Sequence, residues 1–341
     1  MLLSPRLRSV TPWESRWVVA ETTIEWTRGP NGEKGFTFNP WYGCTKVSPA
    51  CDHCYAEDWA KRSGLVQWGP GAERRRSSDS NWKLPLKWNA EAERLRVRYR
   101  VFCASLADVF DNSVPQEWRE DLFTLIEQTP YLDWLLLTKR IGNVANMLPV
   151  PFDFGRLYPN VWIGATICNQ EEADRDIPKL LRVPAAKRFL SMEPLLGPVD
   201  LQFYIYSEPT GNFRTHEGKR QIELRKPADG GLHWVIVGGE SGPNARPLHP
   251  DWVRSLRDQC QAAGVAFFFK QHGEWLATDF CDDAMAMIPH KRLAYVRKDG
   301  SFHDDPQKAD PVGGEQETAW IGKKAAGRML DGREWNEVPK C

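Results

Sequence analysis

Short apolar runs recur along the chain, each breaking off into a polar or glycine-rich cluster, and they constrain the fold more than any other feature. Six are clear: 101–111 (VFCASLADVFD), 134–140 (WLLLTKR), 161–169 (VWIGATICN), 188–194 (RFLSMEP), 234–242 (WVIVGGESG) and 266–273 (AFFFKQHG). They are too short for helices of their own and rich in β-branched and aromatic residues, so they read as strands buried on both faces. Helices are expected between them. Residues 115–128 carry Trp118, Leu122, Leu125 and Ile126 at helical spacing; 169–182 and 249–264 follow, the last ending in Gly264, suited to a helix C-terminus. Strand alternating with helix predicts a parallel sheet. With 35–43 as a first strand and 54–64 as its helix, the expectation is an α/β fold, a partial or full TIM-like (β/α) barrel of about six or seven units. An open doubly wound sheet is the alternative, and in both the functional face is the C-terminal end of the strands.

A chain of 341 residues with 41% hydrophobic content can bury a barrel-sized core. The barrel is expected over residues 1–273, with insertions at 65–100 and 203–232, and residues 274–341 as a C-terminal appendage. Lys plus Arg equal Asp plus Glu at 45 each, so no global field announces a partner. The exception is local. Residues 61–100 hold eleven Lys or Arg against four Asp or Glu, interleaved with Trp68, Trp82, Trp88 and Tyr99. Such a stretch either stacks bases and neutralises phosphates or is a solvated insertion whose aromatics pack on the barrel. The N-terminus has only three apolar or Met residues before Ser4, Pro5 and Arg6, which reads as neither signal peptide nor membrane span. A cytoplasmic protein with reduced thiols and no membrane partner is expected.

Three of the eight cysteines stand together in NPWYGCTKVSPACDHCYAE, residues 39–57. Cytosolic cysteines at short spacing are usually metal-binding or catalytic. Cys44, Cys51 and Cys54 are one short of a closed structural zinc site. A [4Fe-4S] cluster held by three cysteines leaves one iron open, which is a chemical reason for three. A zinc site completed by His53 or a remote residue, and a Cys51/Cys54 dithiol, are the other readings. The remaining cysteines, Cys103, Cys168, Cys260, Cys281 and Cys341, read as reduced thiols; Cys103 lies inside the second strand, from which it could approach a cluster, but reads as a buried inert thiol.

The segment CTKVSPACDHCYAE resembles the cluster loop of the radical S-adenosylmethionine superfamily, usually C-x3-C-x-aromatic-C. His53 stands where that pattern has its aromatic, the first gap here is six residues, and the Gly-Gly-Glu that usually follows the second strand occurs instead as GGESG at 238–242. Together with LLLTKR, SMEPLLGPVDL, WVIVGGESGPNARP, FFFKQHG and GKKAAGRMLDGREW, the loop also looks like the phage protein Gp-thirty-seven/Gp-sixty-eight family over most of residues 24–339. These resemblances imply a partial TIM-like barrel, a [4Fe-4S] cluster on Cys44, Cys51 and Cys54, bound S-adenosylmethionine, and an electron donor such as flavodoxin or ferredoxin. One electron would then cleave the cofactor to a radical that abstracts hydrogen from substrate. Nucleic acid is the expected substrate class, from the basic insertion and the phage association, with base modification or repair as the outcome. The rival is a non-enzymatic zinc-binding, nucleic-acid-binding phage protein.

Residues at the predicted strand ends would line the pocket. Glu193 and Glu240 are candidates for a general base or for cofactor contacts, with Lys270 as a third catalytic candidate. Gly238 and Gly239 permit close backbone approach, and Ser191 and His53 complete the cofactor-binding set. Lys139, Arg140, Arg246 and Lys270 can give the mouth a positive lining. Asp108 and Asp111 are either divalent-ion ligands or loop caps, and His272 beside Gln271 either joins the site or satisfies backbone groups. Neither common phosphate-loop pattern is present.

Overall fold

The computed structural model describes residues 21–205, 214–216, 219–221, 231–280 and 292–339. The N-terminal stretch 1–20, most of the 203–232 insertion, Cys281 and Cys341 lie outside these residues. Seven strands form one parallel sheet in chain order: β1 (Gly35–Phe38), β2 (Tyr99–Cys103), β3 (Leu132–Thr138), β4 (Val161–Thr166), β5 (Lys187–Met192), β6 (Trp234–Gly238) and β7 (Ala266–Gln271). The principal helices are α1 (Tyr55–Ser63), α2 (Leu84–Leu95), α3 (Gln116–Glu127), α4 (Ile141–Met147), α5 (Gln170–Leu181) and α6 (Pro250–Ala263). Their ends are written in the sequence. The Asn169 side chain accepts from the Glu172 N–H to start α5, Pro250 opens α6, and Gly264 closes α6 at φ 69°.

Period-two alternation sends each strand's residues to two different cores. Val101, Trp134, Leu136, Ile163, Leu190, Val235 and Phe267 face the helices. Phe102, Leu135, Trp162, Phe189, Trp234, Ile236 and Phe268 face the concave side. Trp26, on a single turn at Glu25–Thr27, plugs that concavity, with its ring 4.9 Å from Phe102 and 6.2 Å from Trp234. Gly164 has no side chain because a Cβ there would lie 2.3 Å from the Phe189 ring. The N-terminal half of the barrel is therefore filled by aromatic rings, and polar residues are left to its C-terminal mouth.

The barrel is partial. Glu21 bridges to Phe36 antiparallel, and Thr22 donates to the Gly35 carbonyl along the free edge of β1. Asn336 bridges to Phe268, and Glu337 donates to the Phe267 carbonyl along the free edge of β7. Both edges are thus covered by antiparallel segments from near the chain ends, so the two outer strands do not pair with each other. The appendage adds a four-stranded antiparallel sheet, β8 (Trp275–Ala277), β9 (Leu293–Val296), β10 (Phe302–His303) and β11 (Gln316–Trp320), in the order β8-β11-β9-β10. Arg292 lies over its Trp275 and Trp320 rings, 4.9 and 3.9 Å from their centroids.

The first crossover differs from the expected one. α2, inside the basic stretch, covers the sheet: Trp88 stacks on Phe36 at 4.5 Å, Trp82 meets Phe38 edge-on, and Tyr99 is buried in β2. Trp88 and Tyr99 are buried in the core and the half-buried Trp82 packs against it, so these rings are engaged by the fold itself. Burial of apolar area prevailed, because a sheet with one face bare needs a covering helix. Among the described residues no helix is long and apolar enough to cross a membrane.

Candidate metal centre and binding mouth

The cysteine loop leaves the C-terminal end of β1. Gly43, at φ 103°, makes the turn into Cys44, and a Cβ there would press on Val66 and Arg74. Ser48 caps a short turn at Pro49–Cys51 by accepting from the Ala50 N–H, and Cys54 is the N-cap residue of α1. None of the described cysteines is in a disulfide.

Two arginine clamps fix this loop. Arg140, directly after β3, donates to Cys44 Sγ at 3.3 Å, to Asp108 Oδ2 at 3.1 Å and to the Thr45 carbonyl at 2.8 Å. Arg74 supports it, donating to Asp111 Oδ2 at 2.8 Å and to Thr45 Oγ1 at 2.9 Å. Asp108 accepts further from the Thr138 hydroxyl and the Phe110 N–H. The two aspartates therefore serve as loop anchors, and the alternative of divalent-ion ligands loses its donors. Burial, and then the Asp108 charge, push the Cys44 thiol up to about 11 against the opposing pull of Arg140.

The second clamp holds the other end. Arg246 pairs with both oxygens of Glu240, at 2.7 and 2.9 Å, and reaches the Pro49 carbonyl at 2.9 Å and Asp52 at 3.2 Å. His53 Nδ1 lies 3.0 Å from Glu240 Oε2. Burial would raise the Glu240 pKa, but the hydrogen bonds from Arg246 and His53 outweigh it and lower it. Glu240, expected as a general base, has both oxygens occupied in tying β6 to the cysteine loop.

Above the aromatic plug, the upward alternation brings Thr166, Ser191, Glu193, Gly238 and Lys270 to the mouth. Lys270 Nζ donates to Glu193 Oε2 at 2.5 Å. Glu193 Oε1, Thr166 Oγ1 and Thr37 Oγ1 are buried with no protein partner. Buried atoms of this kind are met in a native interior by ordered water or by a bound group. Tyr55, the first residue of α1, is 59% exposed, while its hydroxyl donates to the Ser105 carbonyl at 2.8 Å. Burial of that hydroxyl, then charge at Cys54 and Glu193, push its pKa up.

The paired glycines separate here. A Cβ on Gly239 would lie 1.9 Å from the His272 carbonyl oxygen, so this glycine serves the β6–β7 approach. A Cβ on Gly238 would sit 3.4 Å from Glu193 and 3.5 Å from Lys270, in the space beside that pair. Gly239→Ala is expected to cost about 3 kcal/mol and Gly238→Ala less than about 1 kcal/mol in urea unfolding. Equal costs would mean that the two positions do not differ as described.

Other candidates are placed away from this chemistry. His272 Nε2 donates to the Met329 carbonyl at 2.7 Å, and burial lowers its pKa. Cys103 is buried on the helix side of the sheet. Sequence reasoning missed Cys168, which follows β4 and packs under the loop against Ser48 and Ala50, with burial and Glu172 pushing its thiol up to about 12. It also missed both clamps and Tyr55. The only local signals were an arginine immediately after a strand end and an arginine six residues beyond Glu240.

The family described as protein of unknown function, DUF5131, matches residues 21–339. The chain belongs to that family. No curated protein matches the DUF5131 chain by sequence. Among solved structures it is similar to a mutant spore photoproduct lyase with bound AdoMet and dinucleoside spore photoproduct, at 14% identity and a TM-score of 0.38, covering 72% of this chain and 58% of that one. A second spore photoproduct lyase, complexed with the dinucleoside, gives 13% identity and a TM-score of 0.41, covering 72% and 80%. The chain thus spans less than two thirds of the first of these structures. Likeness of this degree transfers neither substrate nor cofactor, and the DUF5131 fold stands on its own sheet order.

Proposed function

We propose that the chain is an iron–sulfur, S-adenosylmethionine-dependent radical enzyme that acts on nucleic acid, in base modification or repair, and is served by an electron donor such as flavodoxin or ferredoxin. The motif likeness to the phage family belongs to the same proposal. The observation that carries it is the loop itself: three unbridged thiols on one loop, clamped at both ends by arginines from two other strand ends. The donor set fits the group. Its chemistry is three unbridged thiols on one loop, and a cluster takes each of its cysteine ligands on a separate iron.

Cys44, Cys51 and Cys54 would hold the cluster, which supplies an electron and an open coordination position when bound. The protein's own residues have separate tasks. Arg140 directs an N–H at Cys44 sulfur, the kind of outer contact that orients a ligand and tunes its electronics. Arg246 and Glu240 hold Pro49, Asp52 and His53 in place. Thr166, Glu193 and Lys270 offer hydrogen bonds where a bound molecule would enter the barrel.

Anaerobic purification with iron, sulfide and zinc analysis and a visible spectrum tests this reading. About four irons and four sulfides with a broad brown absorption are expected. One zinc and a colourless solution would overturn it and favour the zinc-binding alternative.

A further inference from the structure

The helix that covers β1 and β2 has a second face. At 3.6 residues per turn, the buried Pro85, Trp88 and Ala92 share the inner side of α2, while the exposed Lys83, Lys87, Ala90 and Arg94 fall within an arc of roughly 60° on the opposite side. Elsewhere in the basic stretch the fold supplies partners: Arg74 pairs with Asp111 at 2.7 Å, Arg76 with Asp121 at 2.8 Å and Arg98 with Asp133 at 2.7 Å. Lys83, Lys87 and Arg94 pair with no carboxylate among the described residues. Of the acidic residues on α2, Glu91 is taken by Lys34 at 3.0 Å, and Glu93 stands at the flank, roughly a quarter turn from the stripe. The three cations thus line about 16 Å of helix without a counter-charge among them, in a chain whose formal total charge is zero.

What the face fits follows from what it lacks. A protein partner needs a desolvated aromatic or aliphatic anchor, and a helix lying on a membrane needs large apolar side chains beside its cations. This stripe has Ala90 between its cations, and Leu86, 40% exposed, stands off to one side. A phosphate backbone needs only charge at intervals along a line. One strand of a duplex carries a phosphate about every 3.4 Å along the axis, so the stripe spans about five of them. Its Lys83 end lies at the barrel mouth: the Asn81 side chain donates to the Asn39 carbonyl at 3.0 Å, just beyond the C-terminal end of β1 on the segment that goes on to Cys44.

We propose that the outer face of α2 docks the phosphate backbone of a nucleic acid, without reading its sequence, and leads it over the rim toward the cysteine loop. The inference rests on the reading above and deepens it by assigning the surface that holds the substrate.

Labelled DNA of mixed sequence, single-stranded and duplex, is titrated by fluorescence anisotropy with the anaerobically purified full chain between about 50 and 200 mM salt. Replacing Lys83, Lys87 and Arg94 together by Gln is expected to reduce the slope of log affinity against log salt by about 2 for the single strand or about 2.7 for the duplex, as three phosphate contacts require. Binding at about 0.1 M salt should weaken about a hundredfold. Lys87→Gln alone should remove about a third of that slope. Gln is close to Lys and Arg in helix propensity, and unchanged unfolding midpoints show that the variants fold. A second triple variant, Arg156→Gln with Lys179→Gln and Lys308→Gln, removes the same charge elsewhere and is expected to keep the slope. No binding by the unaltered chain, an unchanged slope without the stripe, or an equal loss in the second triple variant overturns the inference. So does binding of phosphatidylserine vesicles or a polyglutamate peptide that is as tight as that of DNA and is lost with the stripe. Iron analysis of the same samples keeps the failures apart: a cluster-loaded chain whose DNA binding ignores the stripe sinks the docking face alone, and a cluster-free chain that binds through the stripe sinks the radical reading alone.

Discussion

Cys54→Ala is expected to remove essentially all bound iron and the brown absorption, and Cys44→Ser and Cys51→Ala to do the same. Each deletes one of three ligands from a group that already lacks a fourth protein ligand, and two thiolates on one loop cannot hold four irons. Cys54 is the most telling position. It is the N-cap residue of α1, and it makes no side-chain cap hydrogen bond whose loss would itself unfold the helix. Cys103→Ala and Cys260→Ala are the controls: both thiols are buried in the core on the helix side of the sheet. They should keep the full iron content. A Cys44→Ser protein that keeps thiol-dependent redox activity would favour the Cys51/Cys54 dithiol instead, since that chemistry needs only two sulfurs.

Arg246→Leu is expected to destabilise the metal-free fold by about 3–5 kcal/mol at neutral pH, measured by urea unfolding. Removing one partner of a buried ion pair leaves the other charge uncompensated. Glu240 is 6% exposed, and without the Arg246 side chain it would keep only the backbone N–H of residue 246, at 2.8 Å, and the His53 contact, with no cation fully paired to it. Three loop anchors go with the same side chain, at Pro49, Asp52 and Glu240. A cost below about 1 kcal/mol, the range of an exposed pair, would show that the clamp does not bear on stability. The pH dependence has a definite sign. The folded Glu240 pKa is depressed, so its contribution is full above the unfolded carboxyl value of about 4.3 and is lost as pH falls through the folded value. Arg246→Leu should flatten that acid limb relative to the unaltered chain.

Some of this was local enough to read along the chain. The seven strands were legible because apolar runs bounded by polar clusters report burial on both faces. α3, α5 and α6 were legible from spacing and caps. The three cysteines were legible because their spacing is itself the signal. The aromatic residues of the basic stretch were not decided by sequence: Trp82 and Trp88 suit either stacked bases or a protein core, and only the need to cover β1 and β2 settled their place. Glu240 and Glu193 looked alike, each a carboxylate just beyond a strand. Arg246 folds back onto one, whereas Lys270, arriving from β7, meets the other and leaves one oxygen open.

By itself the sequence determined the parallel α/β architecture and the three cysteines of the first loop, because hydrophobic period and cysteine spacing are properties of neighbours in the chain. The tertiary structure alone decided that the barrel stays open under its two edge-capping segments, that Arg140 and Arg246 clamp the cysteine loop from β3 and β6, and that Lys270 meets Glu193. Those contacts join residues far apart in sequence, and no local pattern encodes which charge or ring meets which until the sheet brings their strand ends to one mouth.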